Sequence, residues 1–400
     1  MNFIEKANIN LNLEEGSLVI EHLLIECYLT PGISTKELAR KVFLPVPITV
    51  AIKKELIKAG ALVQKAGVGI TLEGKKWIEQ DMGFSGLDVA LYRKLLADES
   101  NWGLELQNIL DILNHLFALR PQVDVQIDQS QCTAKTSLRR AILCLKEHCL
   151  IGKQILCVGD DDLVSISIGL LLKRLFPNKH RFRTRIDVMD IDNRFLDFIK
   201  EFAVKENLPI ECIYHDMRQP LKEPYLEKYD CFFTDPPYTL SGMNLFISRG
   251  VSALKKQKGL NIFLSFAHKS PGFTLEIHRS LVQMGISVSA ILPNFNTYEG
   301  AQMIANRSQM LIIKTTDHSN VSSYMPETFV EPIYTGEVKR SVRVYSCKNC
   351  GETIKVGFQC KIKTIEQLKN EKCPCCFEDT FKLIKKFVVE KESRDKGHIN

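Results

Sequence analysis

Ile155-Leu156-Cys157-Val158-Gly159-Asp160-Asp161-Asp162 is a short apolar run that ends in a glycine and three aspartates. Four continuous apolar residues bounded by a turn signal read as a strand buried on both faces. The helical spacing that starts after Leu163 makes the glycine and the aspartates a strand-to-helix loop.

The same alternation continues outward from this stretch. Apolar runs at Ile186–Met189, Ile210–Tyr214, Cys231–Thr234, Ile262–Ser265, Val288–Leu292 and Gln309–Ile313 are separated by amphipathic helical patterns, except that the last two stand close together. Strands separated by helices imply a largely parallel sheet with right-handed crossovers. Seven strands ending in a closely spaced pair predict an α/β Rossmann-like sheet of the class I methyltransferase type, whose final pair includes an antiparallel edge strand. Ligands of such sheets bind beyond the carboxyl ends of the strands.

Four of those ends carry acids: Asp160-Asp161-Asp162 after the first strand, Asp190-Ile191-Asp192 after the second, His215-Asp216 after the third and Asp235-Pro236-Pro237-Tyr238 after the fourth. A ribose diol offers two donors that one carboxylate can accept together, so the acid after the second strand is expected to hold a ribose. Asp190 fits that role best and Asp192 is second, its alternative being an N-cap for the helix Arg194–Lys205. Asp216 is placed to accept from an adenine amine. In Asp235-Pro236-Pro237-Tyr238 the prolines stiffen the loop, the acid or a backbone carbonyl accepts from a nucleophilic amine and the ring of Tyr238 contacts substrate. That motif serves enzymes that alkylate nitrogen, whether on nucleic acid or on polyamines.

The first loop narrows the choice. Enzymes that bind S-adenosylmethionine usually place glycines here, leaving backbone donors for the methionine carboxylate. A ligand carboxylate beside three aspartates would meet like charge at ~4 Å, costing a few kcal/mol at an effective dielectric near 20. Decarboxylated S-adenosylmethionine carries only a sulfonium and an ammonium, which the same cluster attracts, and so would a polycationic amine. One of the three aspartates is expected to cap the following helix.

The ends of the chain differ in kind from the middle. Ser34 and Glu37 form a capping-box pattern before Thr35–Val42, a second helix spans about Val46 to Ala59, and Ala61–Leu72 alternates through a glycine turn. These are the parts of a winged helix-turn-helix. Lys53, Lys54 and Lys58 are available for phosphates, yet the second helix has no Arg or Asn set at base-reading spacing, so packing against the enzyme core or dimerisation is favoured over nucleic acid. Ser85–Phe117 is helical, Val123–Gln129 alternates like a short strand or extended loop, and about Ala134 to His148 is a helix. The organisation expected is 1–84 winged helix, 85–150 helical linker, 151–330 Rossmann-like catalytic domain and 331–400 cysteine-rich tail.

In the tail, Cys347-Lys348-Asn349-Cys350 and Cys373-Pro374-Cys375-Cys376 provide two CxxC pairs. Thiolates of Cys347, Cys350, Cys373 and Cys376 can close a tetrahedral structural zinc site of zinc-ribbon type, iron being the alternative because Cys360 and Cys375 are surplus. Six of the thirteen cysteines crowd between Cys347 and Cys376 and the rest are single, which suits a reducing compartment rather than a secreted disulfide scaffold. No run of about 18 apolar residues and no basic-then-apolar start mark a membrane span or signal peptide, so the expected location is cytoplasmic. A net charge of +6 over 400 residues does not by itself indicate nucleic acid.

These residues resemble the branched-chain polyamine synthases, or N4-bis(aminopropyl)spermidine synthases. The resemblance runs from the winged helix to about Thr315 and rests on Asp128-Gln129, Gly159-Asp160-Asp161-Asp162 with Leu163 and Ser165, Asp190-Ile191-Asp192, Asp216-Met217-Arg218, and Thr234-Asp235-Pro236-Pro237-Tyr238-Thr239 with Gly242. It implies a homodimer that transfers aminopropyl groups from decarboxylated S-adenosylmethionine to the internal amine of spermidine, twice, releasing methylthioadenosine. Gly159, Asp162, Asp190, Asp192 and Asp216 then hold the nucleoside, and Asp128, Gln129, Pro236 and Pro237 the polyamine. An acid among Asp160, Asp161, Asp162 and Asp235 removes the amine proton, Asp161 first and Asp235 next. The competing reading is an S-adenosylmethionine-dependent amino-methyltransferase of DNA or RNA, which the Asp-Pro-Pro-Tyr motif supports and the triple aspartate opposes.

Overall fold

The computed structural model describes residues 2–388 except 12, 66, 98–101, 179–180, 302–303, 320–327, 335–340, 358–359 and 363–364. Ala66 in the expected hairpin turn and the expected tail beyond residue 388 lie outside the described residues. Two compact units result, one of residues 1–122, 130–236 and 244–329, the other of residues 123–129, 237–243 and 330–400.

The first unit opens with α1 (Phe3–Ile9), α2 (Leu18–Leu29), α3 (Thr35–Lys41) and α4 (Val46–Lys58), followed by β1 (Leu62–Gln64), β2 (Val68–Ile70) and α5 (Leu72–Gln80). Ser34 Oγ accepts from the Glu37 amide and so starts α3 where a cap was expected. β1 and β2 pair antiparallel, and Ile33 adds a bridge to Val68. α6 (Val89–Ala97), α7 (Trp102–Glu105) and α8 (Gln107–Leu119) lead to β3 (Gln131–Cys132) and α9 (Ala134–Lys146). The alternation at Val123–Gln129 is not a strand: residues Val125–Ile127 form a 3-10 turn, begun by the Asp124 side chain accepting from the Gln126 amide. The local hydrogen bond of an Asp side chain offers the backbone an alternative to a ladder.

Then come β4 (Gln154–Val158), α10 (Val164–Leu175), β5 (Arg185–Asp190), α11 (Asn193–Glu206), β6 (Ile210–Tyr214), β7 (Cys231–Thr234), α12 (Leu240–Ala253), β8 (Asn261–Ala267), α13 (Pro271–Gln283), β9 (Ile286–Glu299) and β10 (Arg307–Thr315). The sheet order is β3-β9-β10-β8-β7-β4-β5-β6. β6, β5, β4, β7 and β8 run parallel, whereas β10 is antiparallel to both β8 and β9. All seven expected strands are present, with β3 added at one edge. The result is an α/β fold with a mixed sheet.

Ile155, Leu156, Cys157 and Val158 on β4 are at most 1% exposed, as a central strand covered on both faces requires. Strand order reverses beside β4: β5 and β6 lie to one side, β7 and β8 to the other. The crevice at the carboxyl ends of β4 and β7 is therefore where a ligand has room between diverging loops. One apolar cluster runs from Ile20 and Leu24 on α2 through Ile142 on α9 and Leu171 on α10 to Ile155 and Phe263 in the sheet. Each such buried aliphatic or aromatic side chain contributes about 1.5–3 kcal/mol, so the N-terminal helices share the core of the sheet. No helix among the described residues is long and apolar enough to cross a membrane.

In the second unit β11 (Ser341–Cys347) is flanked by β12 (Thr353–Gly357) and β13 (Phe381–Val388), both antiparallel to it, with α14 (Ile365–Glu371) between β12 and β13 in sequence. Tyr345, Val356 and Leu368 form its small core. A strand and a helix thus fill the interval between the two CxxC pairs.

Candidate active site

The three aspartates after β4 have three different surroundings. Asp160 Oδ1 accepts from the Val164 amide at 2.7 Å and Oδ2 from the Ser165 amide at 3.1 Å, so this carboxyl closes the N-terminus of α10. Burial pushes it up to about 7 despite those donors. Leu163 sits between at φ 52, a left-handed conformation costing about 1–2 kcal/mol that the cap on either side holds in place. Gly159, at φ 76, makes the preceding turn without that cost.

Asp162 is buried, with Oδ1 accepting from the Cys132 amide at 2.7 Å and Oδ2 from Arg140 Nη1 at 2.7 Å. Asp161 remains partly open, and its Oδ2 accepts from the Ser130 amide at 3.1 Å. Desolvation, and after it the charges of Asp162, Asp190 and Asp235, raise its carboxyl well above the ordinary range. Of the loop acids, Asp160 serves a helix and Asp162 a guanidinium, which leaves Asp161 as the half-buried one.

Arg140 organises the rest. Its side chain is 3% exposed, and besides Asp162 it donates from Nη2 to Asp235 Oδ2 at 3.0 Å and to the Tyr298 hydroxyl at 3.2 Å, and from Nε to Asn296 Oδ1 at 2.9 Å. Tyr298 donates to the same Asp235 oxygen at 2.6 Å. Asn296 is itself held by Ser265, Ser308 and the Gln309 carbonyl. A buried guanidinium is stable only where such a fork is fully used. The network ties α9, the loop after β4, the loop after β7 and the β8–β9–β10 edge into one rigid frame.

On the opposite side of β4, Asp190 Oδ2 accepts from the Asp160 amide at 3.1 Å and Oδ1 from the Asp192 amide at 2.8 Å, and burial raises its carboxyl despite those bonds. Asp192 caps α11 through the Arg194 amide at 3.0 Å and pairs with the Arg194 side chain at 2.6 Å. Asp216 accepts from the Arg218 amide at 2.9 Å. Arg249 on α12 fixes that loop by donating to the Met217 and Arg218 carbonyls. The ends of β4, β5 and β7 therefore gather Asp160, Asp161, Asp162, Asp190 and Asp235 at the crevice, with Pro236 buried next to Asp235 in the chain.

Asp128, Gln129, Pro237 and Tyr238 belong to the second unit. There Asp128 is left-handed at φ 58, and Gln129 closes its own loop by accepting from the Asp124 amide at 2.7 Å. Thr239 caps the start of α12 through the Gly242 amide and donates to the Ile333 carbonyl. The same unit brings the thiols of Cys347, Cys350, Cys373 and Cys376 within 4.8 Å of one another. Both CxxC pairs make the same backbone turn: Gly351 donates to the Cys347 carbonyl and Phe377 to that of Cys373.

Arg140, Asn296 and Tyr298 are absent from the residues expected from sequence. Arg140 had a visible signal, a charge on the helix stripe otherwise made of Ser137, Ala141 and Cys144. Asn296 and Tyr298 had none, since β9 continues well past its expected end at Leu292.

A family model described as the branched-chain polyamine synthase A C-terminal domain matches residues 108–356. An uncharacterized protein of Methanocaldococcus jannaschii is 36% identical over 398 residues, covering 98% of this chain and 94% of its own. The N(4)-bis(aminopropyl)spermidine synthase of the same organism is 33% identical over 260 residues, covering 64% of this chain and 70% of its own. Among solved structures, the branched-chain polyamine synthase of Thermus thermophilus in complex with N4-aminopropylspermidine and 5′-methylthioadenosine is similar at 22% identity and a TM-score of 0.49, covering 82% of this chain and 95% of that one. The family match over more than half of the chain, a stretch that includes the acid-rich loop, places this chain in the branched-chain polyamine synthase family.

Proposed function

We propose that the chain is an aminopropyltransferase that moves aminopropyl groups from decarboxylated S-adenosylmethionine to the internal amine of spermidine, making a branched polyamine and releasing methylthioadenosine. The observation that carries this reading is Asp161, the partly open acid of a loop whose other two acids are engaged by α10 and Arg140. The amine lone pair attacks the aminopropyl carbon beside the sulfonium, the carbon–sulfur bond breaks, and its electron pair stays on sulfur. The amine proton goes to Asp161, whose carboxyl is raised above the ordinary carboxylate range by burial and by the neighbouring acids, the direction in which a carboxylate becomes a better proton acceptor. Asp190 and Asp216 are the acids for ribose and adenine, and Asp192 supports them as the α11 cap. Asp235, fixed by Arg140 and Tyr298, orients the acceptor amine, and Asp128, Gln129, Pro236, Pro237 and Tyr238 are assigned to the polyamine by family resemblance.

The helices α2 to α4 with the β1–β2 hairpin are read as a winged helix whose role is to extend the enzyme core, which the shared apolar cluster supports. Residues 85–150, 151–330 and 331–400 keep the linker, catalytic and tail roles expected for them. Cys347, Cys350, Cys373 and Cys376 are read as a structural zinc site of ribbon type. Zinc–sulfur bonds of about 2.3 Å put tetrahedral sulfurs about 3.8 Å apart, and the Cys347–Cys376 and Cys350–Cys373 pairs stand at 3.5 Å. Four thiolates leave no open position, so the metal supplies folding energy rather than chemistry. The reading extends to a cytoplasmic homodimer, on the reducing-type cysteine usage and the family resemblance.

Incubation with decarboxylated donor and spermidine, followed by mass and fragmentation analysis, should yield methylthioadenosine and a product branched at the internal nitrogen. A thermal-shift series should rank decarboxylated above intact S-adenosylmethionine; the reverse order overturns the reading in favour of methyl transfer.

A further inference from the structure

The positive charge of the chain is not spread along it. Between Ser341 and Val388 there are ten Lys and Arg against five Asp and Glu, so this segment holds nearly all of the net charge of +6. Within it, the strands β11, β12 and β13 carry Arg343, Lys355, Lys382, Lys385 and Lys386 and no acid. Among the described residues, no ion pair engages any of the five.

Their register puts them where a partner could use them. Cross-strand neighbours share a face, and Val344 lies opposite both Lys355 and Lys385, making one row across the sheet. The rows on either side along that face place Lys382 opposite Ser346 and Phe387 opposite Val342. Lys355, Lys382, Lys385 and Phe387 are all exposed. On the other face Arg343 stands directly opposite Lys386, a like-charge pair that is unfavourable unless an anion lies between or water screens it. Phe377, at the second cysteine turn, is 74% exposed.

We propose that this ribbon sheet binds single-stranded nucleic acid, with Lys355, Lys382 and Lys385 on phosphates and Phe387 as a stacking ring. This goes beyond aminopropyl transfer and does not depend on it. Lysines two strands apart are about 10 Å from one another, a spacing at which they contact separate phosphates rather than one ion. A base stacks on an exposed ring whatever its identity, which predicts binding with little sequence preference. Anionic membrane lipid is the rival polyanion, since its surface takes both the lysines and an exposed ring, and binding to vesicles in place of oligonucleotide is therefore one of the outcomes of the test.

The test uses the full metal-loaded chain, with polyamines removed, and fluorescence anisotropy of labelled single-stranded RNA, single-stranded DNA and duplex DNA across a salt series. Vesicles containing phosphatidylserine form the competing arm. Binding of single strands above duplex, weakening as salt rises, is expected. The triple change Lys355→Gln, Lys382→Gln, Lys385→Gln should lower the slope of log affinity against log salt by about 2, at about 0.7 per phosphate released, and weaken binding tenfold or more. Phe387→Leu should weaken single-strand binding and leave the salt slope unchanged. Zinc content and the rate of spermidine aminopropylation serve as controls that the variants are folded, and both should match the parent. Vesicle binding without oligonucleotide binding, or triple-variant affinity equal to the parent with metal retained, overturns the proposal and leaves the enzymatic reading intact.

Discussion

Two regions of this molecule concentrate like charge and treat it in opposite ways. At the ends of β4, β5 and β7, Asp160, Asp161, Asp162, Asp190 and Asp235 are drawn into a largely buried crevice, where a helix N-terminus, backbone amides and Arg140 offset them. On the ribbon, five cations lie on a small sheet where no acid of the same strands offsets them. Burial makes the difference. An unpaired ion in a low-dielectric site costs several kcal/mol, whereas an exposed lysine keeps its water. A compensated cluster therefore has a fixed geometry fit for chemistry, and an uncompensated one has charge available for a partner.

The sharpest break between the regions is what holds each together. Among the described residues the ribbon core gathers the buried Tyr345, Val356 and Leu368 with the half-buried Ile354, Ile362, Ile365 and Phe381 around them, too small a core to order its strands alone. Removing metal with a chelator, or making Cys347→Ser with Cys373→Ser, should unfold the tail, since structural zinc sites contribute on the order of 10 kcal/mol of apparent binding energy. Loss of the tail's amide protection in hydrogen exchange, with the sheet domain's protection kept, is the expected result; metal-free protein with an ordered tail would show that the thiols are not a structural site.

Next in size is the chemistry. Asp161→Asn should reduce turnover by about 10²- to 10⁴-fold, the range for loss of a general base, while methylthioadenosine binding measured by calorimetry changes little. Unchanged turnover would move the base to Asp235. Arg140→Gln tests compensation itself. It leaves Asp162 and Asp235 without their cation, and breaking such a buried pair costs about 3–5 kcal/mol. Denaturant melts should show that loss, and Arg140→Lys should recover part of it, because charge returns while the fork does not. A Gln variant as stable as the parent would mean that the frame around the site is held by other contacts.

Much of this is legible in the amino-acid sequence. β4 was readable because both of its faces are covered, so four apolar residues in a row had one interpretation; β5 to β8 followed the same rule. The acids at the strand ends were readable because a strand end is fixed by its apolar run. What the three aspartates each do was not, since Asp160 and Asp162 differ only in which backbone amides and which guanidinium the fold brings to them. Tyr298 was hidden by the length of β9, whose pairing with β10 carries past its apolar stretch and through two register shifts. Val123–Gln129 misled because Asp124 turns the chain with its own side chain before a ladder can form. The cationic ribbon strands were in plain view, but a net charge averaged over 400 residues conceals a segment of 48 that holds most of it.

The smallest expected effect bears on how fully the acid site is compensated. Asp161 titrates above its ordinary range because burial and three neighbouring carboxylates oppose its ionisation, and Asp160 is held near 7 chiefly by burial. Raised acids favour the protonated folded state, so their ionisation costs stability, and the cost grows as pH climbs from the unfolded value near 4 toward 7. Asp160 contributes a slope of up to about 1.4 kcal/mol per pH unit in that window, and Asp161 acts in the same direction. A cationic ligand reverses the preference at Asp161. It needs the carboxylate, pulls its pKa down on binding, and so its affinity should rise by up to about tenfold for each unit that pH is raised toward the free-site pKa. Methylthioadenosine, which lacks both the sulfonium and the ammonium, should show little of this rise. The ratio of the two affinities therefore isolates the charge at Asp161 from the shape of the pocket, and Asp161→Asn should make that ratio flat with pH. A ratio that still climbs in the variant would assign the proton to another acid of the crevice, with Asp190 the first to examine because burial raises it as well.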